Sequence, residues 1–209
     1  MQGTTIRLLR KNKLFDAITN NGYLIFIFVF LLIGLILGVV FTKLNLFSLN
    51  SKSALNDFLS YRKSGNFLSV AFNSLFAVLP YFAAVVFSGA SLPGFIVVLP
   101  IVFYRAVIVG RLLYCFVDAY GLNGLLFNLI VIIVPSLLYF FALLLSAREA
   151  AGFSFSLYKS VFPGKQTTIK LMEDFKLYIL RQTVIFALLI FACLADTVIS
   201  LAFVPKFGF

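Results

Sequence analysis

Four charged residues lie within or beside apolar stretches of this chain, and they are the side chains best placed to do chemistry. Arg105 and Arg111 lie in one such stretch, Asp118 follows Arg111 by seven residues, and Asp196 lies in another near the end of the chain. A charge at the centre of a bilayer costs at least about 2.5 kcal/mol, so each needs a partner, a hydrated cavity or a route to the interface. Such groups form an ion or proton path, a polar seam for a partner, or an ion pair that fixes helix packing.

The spacing of these residues predicts which of them can meet. Arg111 and Asp118 are two helical turns apart and lie on nearly the same helical face. Asp196 lies at nearly the depth of Arg111 if both helices cross the membrane. We therefore expect an intramembrane pair between Arg111 and either Asp196 or Asp118, while the long side chain of Arg105 reaches toward the interface. The path and the seam remain open as alternatives.

The elements that must hold these charges are membrane-spanning helices. Residues 64–104 contain no Asp, Glu, Lys or Arg, and neither do residues 119–147. About 20 apolar residues cross a hydrocarbon slab of roughly 30 Å. A hydrophobic share of 62% and a mean hydropathy of +1.09 therefore predict an all-α, polytopic integral membrane helical bundle. We expect one membrane domain, residues 1–209, with about five helices at 23–41, 67–87, 95–117, 125–147 and 177–204, an external loop at 42–66 and a cytoplasmic loop at 148–176.

Glycine and proline mark the turns and the close contacts between these helices. The sequence Ser-Gly-Ala-Ser-Leu-Pro-Gly at 88–94 predicts a helical hairpin, and Tyr-Gly-Leu-Asn-Gly at 120–124 predicts a second tight turn. Pro135 is expected to kink the fourth helix. Gly34 and Gly38 leave one stripe of the first helix without side chains, which favours close packing against another helix, more readily within the chain than between chains.

The distribution of basic residues predicts the orientation in the cell membrane. With a cytoplasmic N-terminus, ten basic residues lie near the cytoplasmic helix ends and five near the outer ends. The positive-inside rule therefore favours a multi-pass protein with the N-terminus in the cytoplasm and the C-terminus outside. Because the basic residues flank apolar stretches, anionic membrane lipid explains the net charge of +10 better than nucleic acid does, and no nucleic-acid partner is expected.

Several classes of function are excluded by what the sequence lacks. The chain has no histidine, and the predicted external loop holds one acidic residue, Asp57, so an external hydrolase has no acid/base pair. There is no phosphate-binding loop and no metal-ligand cluster, and both cysteines lie in apolar stretches. We therefore expect neither an enzyme nor a cofactor or metal site.

The external loop carries one pattern that suits a partner. Leu55, Phe58, Leu59 and Arg62 have the spacing i, i+3, i+4 and i+7, which gives an apolar stripe with one basic end if the segment is helical. Such a stripe can dock a partner protein. It can equally lie on the membrane interface, and both interpretations remain open.

The order of these features resembles a known family. The features, in chain order, are a basic N-terminal segment, a glycine-containing first helix, an external loop with Leu55, Phe58 and Tyr61, the turn at 88–94, Phe103-Tyr104-Arg105 with Gly110, the turn and following leucines at 120–126, Pro135, and the alanine-containing stretch 142–150. In this order, over roughly residues 22–155, they resemble the stage II sporulation protein M family.

The resemblance implies a function that the residues alone do not establish. It implies a membrane scaffold of the sporulation engulfment machinery, which recruits peptidoglycan hydrolases, the stage II sporulation proteins D and P, to the septal membrane. The alternative is a membrane subunit of an ABC-type or other transporter. In that case Arg111, Asp118 and Asp196 line a path, and the segment 148–176 is the surface that couples to a partner.

Overall fold

The computed structural model describes residues 2–44, 51–63, 65–161 and 168–207. These residues form helices joined by short turns, and no strand occurs among them, so the expected all-α fold is confirmed. The elements in chain order are α1 (Gln2–Lys43), α2 (Ser51–Lys63), α3 (Phe67–Gly89), α4 (Gly94–Phe127), a π-helix (Asn128–Ile133), α5 (Val134–Val161) and α6 (Thr168–Phe207).

Four continuous helical stretches of the described chain are long and apolar enough to cross a membrane. They are Gly22–Lys43, Phe67–Gly89, Gly94–Tyr158 and Leu171–Phe207. The third has 65 residues, about three times the length that one crossing needs. The protein is therefore a multi-pass membrane protein, and the third stretch must contain more than one crossing.

The third stretch reverses direction at Gly121. This residue has φ 55° and ψ −126°, a conformation that glycine adopts without steric cost and other residues rarely adopt. A hydrogen bond joins the two sides of this turn. The side-chain amide of Asn128, which follows Gly121, donates to the carbonyl oxygen of Leu113, which precedes it, at 2.7 Å. Fifteen residues of unbroken helix would separate these groups by about 22 Å. The helices α4 and α5 are therefore antiparallel, and the described residues contain five membrane-length segments.

Contacts at the two ends show that successive segments alternate in direction. At one end, Ser154 of α5 donates to the carbonyl oxygen of Ser91 at 2.8 Å and accepts the Phe95 N–H at 3.1 Å. At the other end, the rings of Phe127 and Phe207 lie 5.4 Å apart. The turn between α3 and α4 thus packs on α5, opposite the Gly121 turn and the end of α6.

Glycines on both helices bring α1 against α4. A Cβ atom added at Gly38 would overlap the carbonyl oxygen of Val107, and one added at Gly110 would overlap that of Leu35. At Gly34 the added atom would lie 2.9 Å from a backbone oxygen of α4. Gly34 and Gly38 therefore lie in a contact within the chain, where the two backbones approach closely.

The helices extend beyond the predicted bounds. The predicted cytoplasmic loop 148–176 is largely helical, because α5 continues to Val161 and α6 begins at Thr168; residues 162–167 lie outside the described residues. Polar contacts between the two helices hold these extensions together, including the Arg181–Glu149 salt bridge of 2.7 Å. Within the predicted external loop 42–66, residues 51–63 form α2.

The kink expected at Pro135 takes the form of a π-helix. The π-helical turns occupy Asn128–Ile133 and end two residues before the proline. A proline has no N–H to donate to the carbonyl four residues earlier, here that of Val131, and its ring needs space in the preceding turn. A wider turn relieves both constraints, which gives a physical reason for the π-helix at this position.

Candidate functional site

A buried ion pair lies between α2 and α6. The Nη2 atom of Arg62 is 2.8 Å from the Oδ2 atom of Asp196, and the two side chains are 5% and 2% exposed. The two residues are 134 positions apart in the chain. The pair therefore fixes the short helix α2 to the last helix of the bundle.

Hydroxyl groups from three helices complete the surroundings of this pair. Ser74 of α3 donates to Oδ2 of Asp196 at 2.7 Å, and Tyr139 of α5 lies at 3.4 Å from the same atom. Ser200 of α6 donates to the other carboxylate oxygen at 3.3 Å and accepts the Nε–H of Arg62 at 3.0 Å. Buried charges persist where such partners satisfy their remaining hydrogen-bonding capacity, and here three helices supply them.

Aromatic rings of α2 cover the guanidinium of Arg62. Its central carbon lies 3.7 Å from the ring centroid of Phe58 and 4.7 Å from that of Tyr61. Arg62 also donates to the Tyr61 hydroxyl. Burial raises the pKa of Tyr61, so its hydroxyl remains protonated at neutral pH. The guanidinium is thus stabilised by a carboxylate on one side and aromatic faces on the other.

The predicted partner-docking stripe on α2 is wrong, because its side chains pack inside the protein. Leu55 and Leu59 are 6% and 4% exposed, and Phe58 makes an edge contact with Phe116 of α4 at 5.5 Å. The helix and its spacing are as the sequence indicated. The apolar face packs against the bundle, where Arg62 also meets Asp196, so these side chains are not available to a partner.

The expected pairing of Arg111 with Asp196 is also corrected, whereas the alternative pairing of Arg111 with Asp118 stays a prediction. Asp196 pairs with Arg62 rather than with Arg111. Asp118 is exposed near the Gly121 turn and does not line the cavity that holds the other charges. Arg62 lies outside the apolar stretches, so the sequence predicted a docking position for it and no ion pair. The i, i+3, i+4, i+7 pattern of α2 was the signal that could have placed it against the bundle.

Beside the ion pair lies a cavity of about 300 Å³, here called the arginine cavity. Residues from α2, α3, α4, the π-helix, α5 and α6 line it, and most of its wall is apolar. Its charged and hydroxyl lining residues include Asp57, Arg62, Ser74, Arg105, Arg111 and Asp196. Since Asp57 is exposed, the cavity reaches the surface of the bundle beside α2.

Arg105 brings a further positive charge into the cavity. Within the described residues it has neither a hydrogen bond nor a salt bridge, and its guanidinium carbon lies 5.3 Å from the centroid of the Tyr81 ring. The side chain is half-buried and lines the cavity. The side chain of Arg105 therefore does not reach the solvent-exposed position that the sequence had led us to expect.

Arg111 lies in the same cavity, and Cys115 lies within hydrogen-bonding reach of it. Three guanidinium groups thus line the cavity, against the buried carboxylate of Asp196 and the exposed one of Asp57 at the rim. The lining has a net positive charge with or without Asp57. A largely apolar wall strengthens the attraction of such charges for an anion.

A second polar cavity, of about 500 Å³, lies between α5 and α6 at the opposite end of the bundle. Arg148, Glu149, Asp174 and Arg181 line it. The salt bridge within it is largely solvent-exposed on the arginine side, where the Arg181 side chain is 58% exposed. This surface is polar and lies where the sequence analysis placed a possible coupling segment.

Within the described part of the chain, no group of three or more His, Cys, Asp or Glu side chains is arranged to hold a metal ion. Comparison with known proteins adds no constraint: no family model, curated protein or solved structure matches this chain. The resemblance to the stage II sporulation protein M family stays a prediction.

Proposed function

We propose that the protein is the membrane subunit of a transporter and that its solute enters the arginine cavity. The observation that supports this most is the net positive lining of a cavity inside a membrane bundle, where Arg105 forms no salt bridge with any described residue. Ionisable residues at membrane depth are costly and mark substrate and ion pathways. The subunit supplies a binding site and a route, and it has no catalytic activity of its own.

Helix irregularities beside the cavity support a transport function. Val131 and Ile132 belong to the π-helix and line the cavity, and Pro135 follows them in the same wall. Irregular turns of this kind are tolerated at membrane depth where they are buried in protein or line a cavity, and π-helical turns occur frequently at functional sites. The wall formed by the π-helix is therefore the part of the bundle best suited to change shape as a solute passes.

The polar surface between α5 and α6 is the proposed docking site for an energy-supplying partner. It combines the ion pair Arg181–Glu149 with the hydrogen bond from Ser156 to Asp174 at 3.1 Å. With the proposed cytoplasmic N-terminus, this end of the bundle faces the cytoplasm, where a nucleotide-hydrolysing partner would act. A polar surface of this kind is typical of interfaces that form and dissociate.

Charge movement across reconstituted membranes tests the proposal. The protein is purified through an affinity tag from its own cells together with the proteins that co-purify. Currents that depend on an added inorganic anion, chloride or phosphate, are then recorded on a supported membrane with and without ATP. We expect a current that Arg105→Gln lowers by about tenfold, because removing this cation weakens solute binding. The control Lys63→Gln removes an exposed charge outside the cavity and leaves the current unchanged. Currents equal to those of empty vesicles would exclude anion transport.

A second proposal is the scaffold function that the resemblance implies, and one observation favours it. While the apolar face of α2 is buried, its opposite face exposes Asn56, Asp57, Ser60 and Lys63. A helix fixed by a buried ion pair presents these polar side chains in a constant position. If α2 lies outside the cell, this face is the one that would recruit peptidoglycan hydrolases such as the stage II sporulation proteins D and P.

Recovery of a co-purifying hydrolase tests the scaffold proposal. We expect Asn56→Ala, Ser60→Ala and Lys63→Glu together to abolish its recovery while the protein still inserts and folds, since all three side chains are exposed. Phe72→Ala, an exposed position on the neighbouring helix α3, is the control. Unchanged hydrolase recovery in the triple variant would remove α2 as the recruiting surface.

A further inference from the structure

A groove of about 400 Å³, here called the apolar groove, lies between α1 and α5 and over α4. Among the described residues that line it, Ser136 is the one polar residue. Buried side chains from all three helices form its base, namely Leu31, Val109, Phe140 and Leu144. Exposed side chains of α1 and α5 form its rim, namely Phe28, Leu32, Leu137 and Phe141. The groove therefore opens along the surface of the bundle between α1 and α5.

The position of the groove determines what fills it. Its walls belong to the stretches Gly22–Lys43 and Gly94–Tyr158, which are apolar enough to cross a membrane. At that depth the surface of the bundle faces hydrocarbon rather than water. Water does not occupy an apolar cavity, and an empty groove would lose the dispersion contacts of its walls. The walls therefore favour an apolar group from the membrane as the ligand.

The dimensions of the groove fit a single hydrocarbon chain. Its residues on the π-helix and α5 extend from Ile133 to Leu144, a rise of about 16 Å, which is close to half of the roughly 30 Å hydrocarbon core. An apolar cavity of about 150 Å³ holds one benzene molecule, so about 400 Å³ has room for about 16 carbon atoms. Acyl chains of membrane phospholipids are of this length.

A helix from another protein does not fit the same space. A volume of about 400 Å³ over a length of about 16 Å corresponds to a mean cross-section of about 25 Å². A helix with its side chains is about 10–12 Å in diameter, which corresponds to about 80 Å² or more. A helix of a partner or of a second copy would therefore rest on the rim and leave the base of the groove uncovered.

We propose that the apolar groove binds one acyl chain of a membrane phospholipid. The chain lies along α5, between the rims formed by α1 and α5, and covers the buried base. Since the contacts are apolar, the site selects the chain rather than a particular headgroup. This inference goes beyond the proposed function and holds equally for a transporter and for a scaffold.

The apolar groove adjoins the arginine cavity. Val109 and Ser136 line both spaces. Ile133, the last residue of the π-helix, lines the groove, whereas its neighbours Val131 and Ile132 line the arginine cavity. A bound acyl chain thus contacts the irregular wall of the arginine cavity from the membrane side and fills the space beside it.

Native mass spectrometry of the purified full chain tests the proposal. The protein is reconstituted with phosphatidylcholine that carries a photoreactive diazirine near the end of a palmitoyl chain, and it is then transferred to detergent micelles. We expect one phosphatidylcholine per chain to remain bound after detergent has removed the other lipids, because the groove covers a chain along its length. Irradiation should then attach the probe to residues in the segments 28–35 and 137–144.

A pair of double variants separates the groove from the general lipid-facing surface. Leu32→Trp with Leu137→Trp places larger rings on both rims and should lower the retained lipid by at least about tenfold. Ile33→Trp with Leu129→Trp is the control, because these positions have similar exposure and neither lines the groove. All four side chains are exposed on the bundle, so both double variants should fold, and the control should retain lipid as the wild type does.

Three results would overturn the proposal. They are equal retention of lipid by the two double variants, a wild type that retains no lipid, and a label spread over other exposed surfaces such as Phe72 and Phe76 of α3.

Discussion

Gly38→Ala is expected to destabilise the protein by about 1–3 kcal/mol, although the substitution adds a single methyl group. The added Cβ atom would overlap the carbonyl oxygen of Val107, which is backbone of α4 and cannot rotate away. The methyl group would therefore push α1 from α4 along a contact that depends on the closeness of two backbones. Gly110→Ala, which would overlap Leu35 of α1 from the other side, should have the same effect.

The same substitution at Gly152 provides a matched control. Gly152 is exposed in α5, and no atom lies within 4 Å of the Cβ atom that alanine would add. Because alanine favours a helix over glycine by about 0.5–1 kcal/mol, Gly152→Ala should leave stability unchanged or raise it. Unfolding of each variant in mixed micelles, followed by circular dichroism, gives the difference. A loss of stability at Gly152 as large as that at Gly38 would show that close backbone contact is not the cause.

Charge spacing and turn residues were sufficient to predict the bundle. Long stretches without a charge identify segments that cross a bilayer, and Gly121 lies in a tight turn predicted from local residue types. These features are local, so a single chain reveals them. The helix ends at Val161 and Thr168 were missed because contacts between α5 and α6, rather than local propensity, extend those helices.

The candidate site could be predicted only in part. Arg105, Arg111 and Asp196 were singled out by the cost of charges in an apolar segment, and all three line the arginine cavity. Arg62 was assigned instead to a docking stripe, because its segment is polar on average and its carboxylate partner is 134 residues away. Long-range pairing of this kind depends on how helices pack, which neither spacing nor composition encodes directly. Pro135 was the one local residue that indicated a distortion of the helix here. A proline does not specify whether the distortion is a kink or a π-helix.

Truncating either member of the buried ion pair is the second change with a large expected effect. Arg62→Leu would leave Asp196 buried without its cation, and Asp196→Leu would leave Arg62 buried without its carboxylate. Breaking a buried pair by removing one partner costs about 3–5 kcal/mol, because the remaining charge has no compensation. Removing both partners together costs much less than the sum, since neither charge is then left alone.

The Arg181–Glu149 pair is the control for an ordinary surface interaction. Its arginine side chain is 58% exposed, so water and salt screen the charges. A double-mutant cycle on this pair should give a coupling energy below about 1 kcal/mol. Arg111 provides a second comparison, since it lines the same cavity as Asp196 but is not the residue that contacts its carboxylate at 2.8 Å.

The double-mutant cycle of Arg62→Leu and Asp196→Leu tests most directly whether α2 is fixed inside the bundle beside a charged cavity. The free energy of unfolding is measured in the same micelles for the wild type, both single variants and the double variant. A coupling energy of about 2 kcal/mol or more between Arg62 and Asp196, well above that between Arg111 and Asp196, is the predicted result. A coupling energy near zero between Arg62 and Asp196, together with a larger one between Arg111 and Asp196, would be the contradicting result. It would mean that α2 is not packed in the bundle beside the arginine cavity.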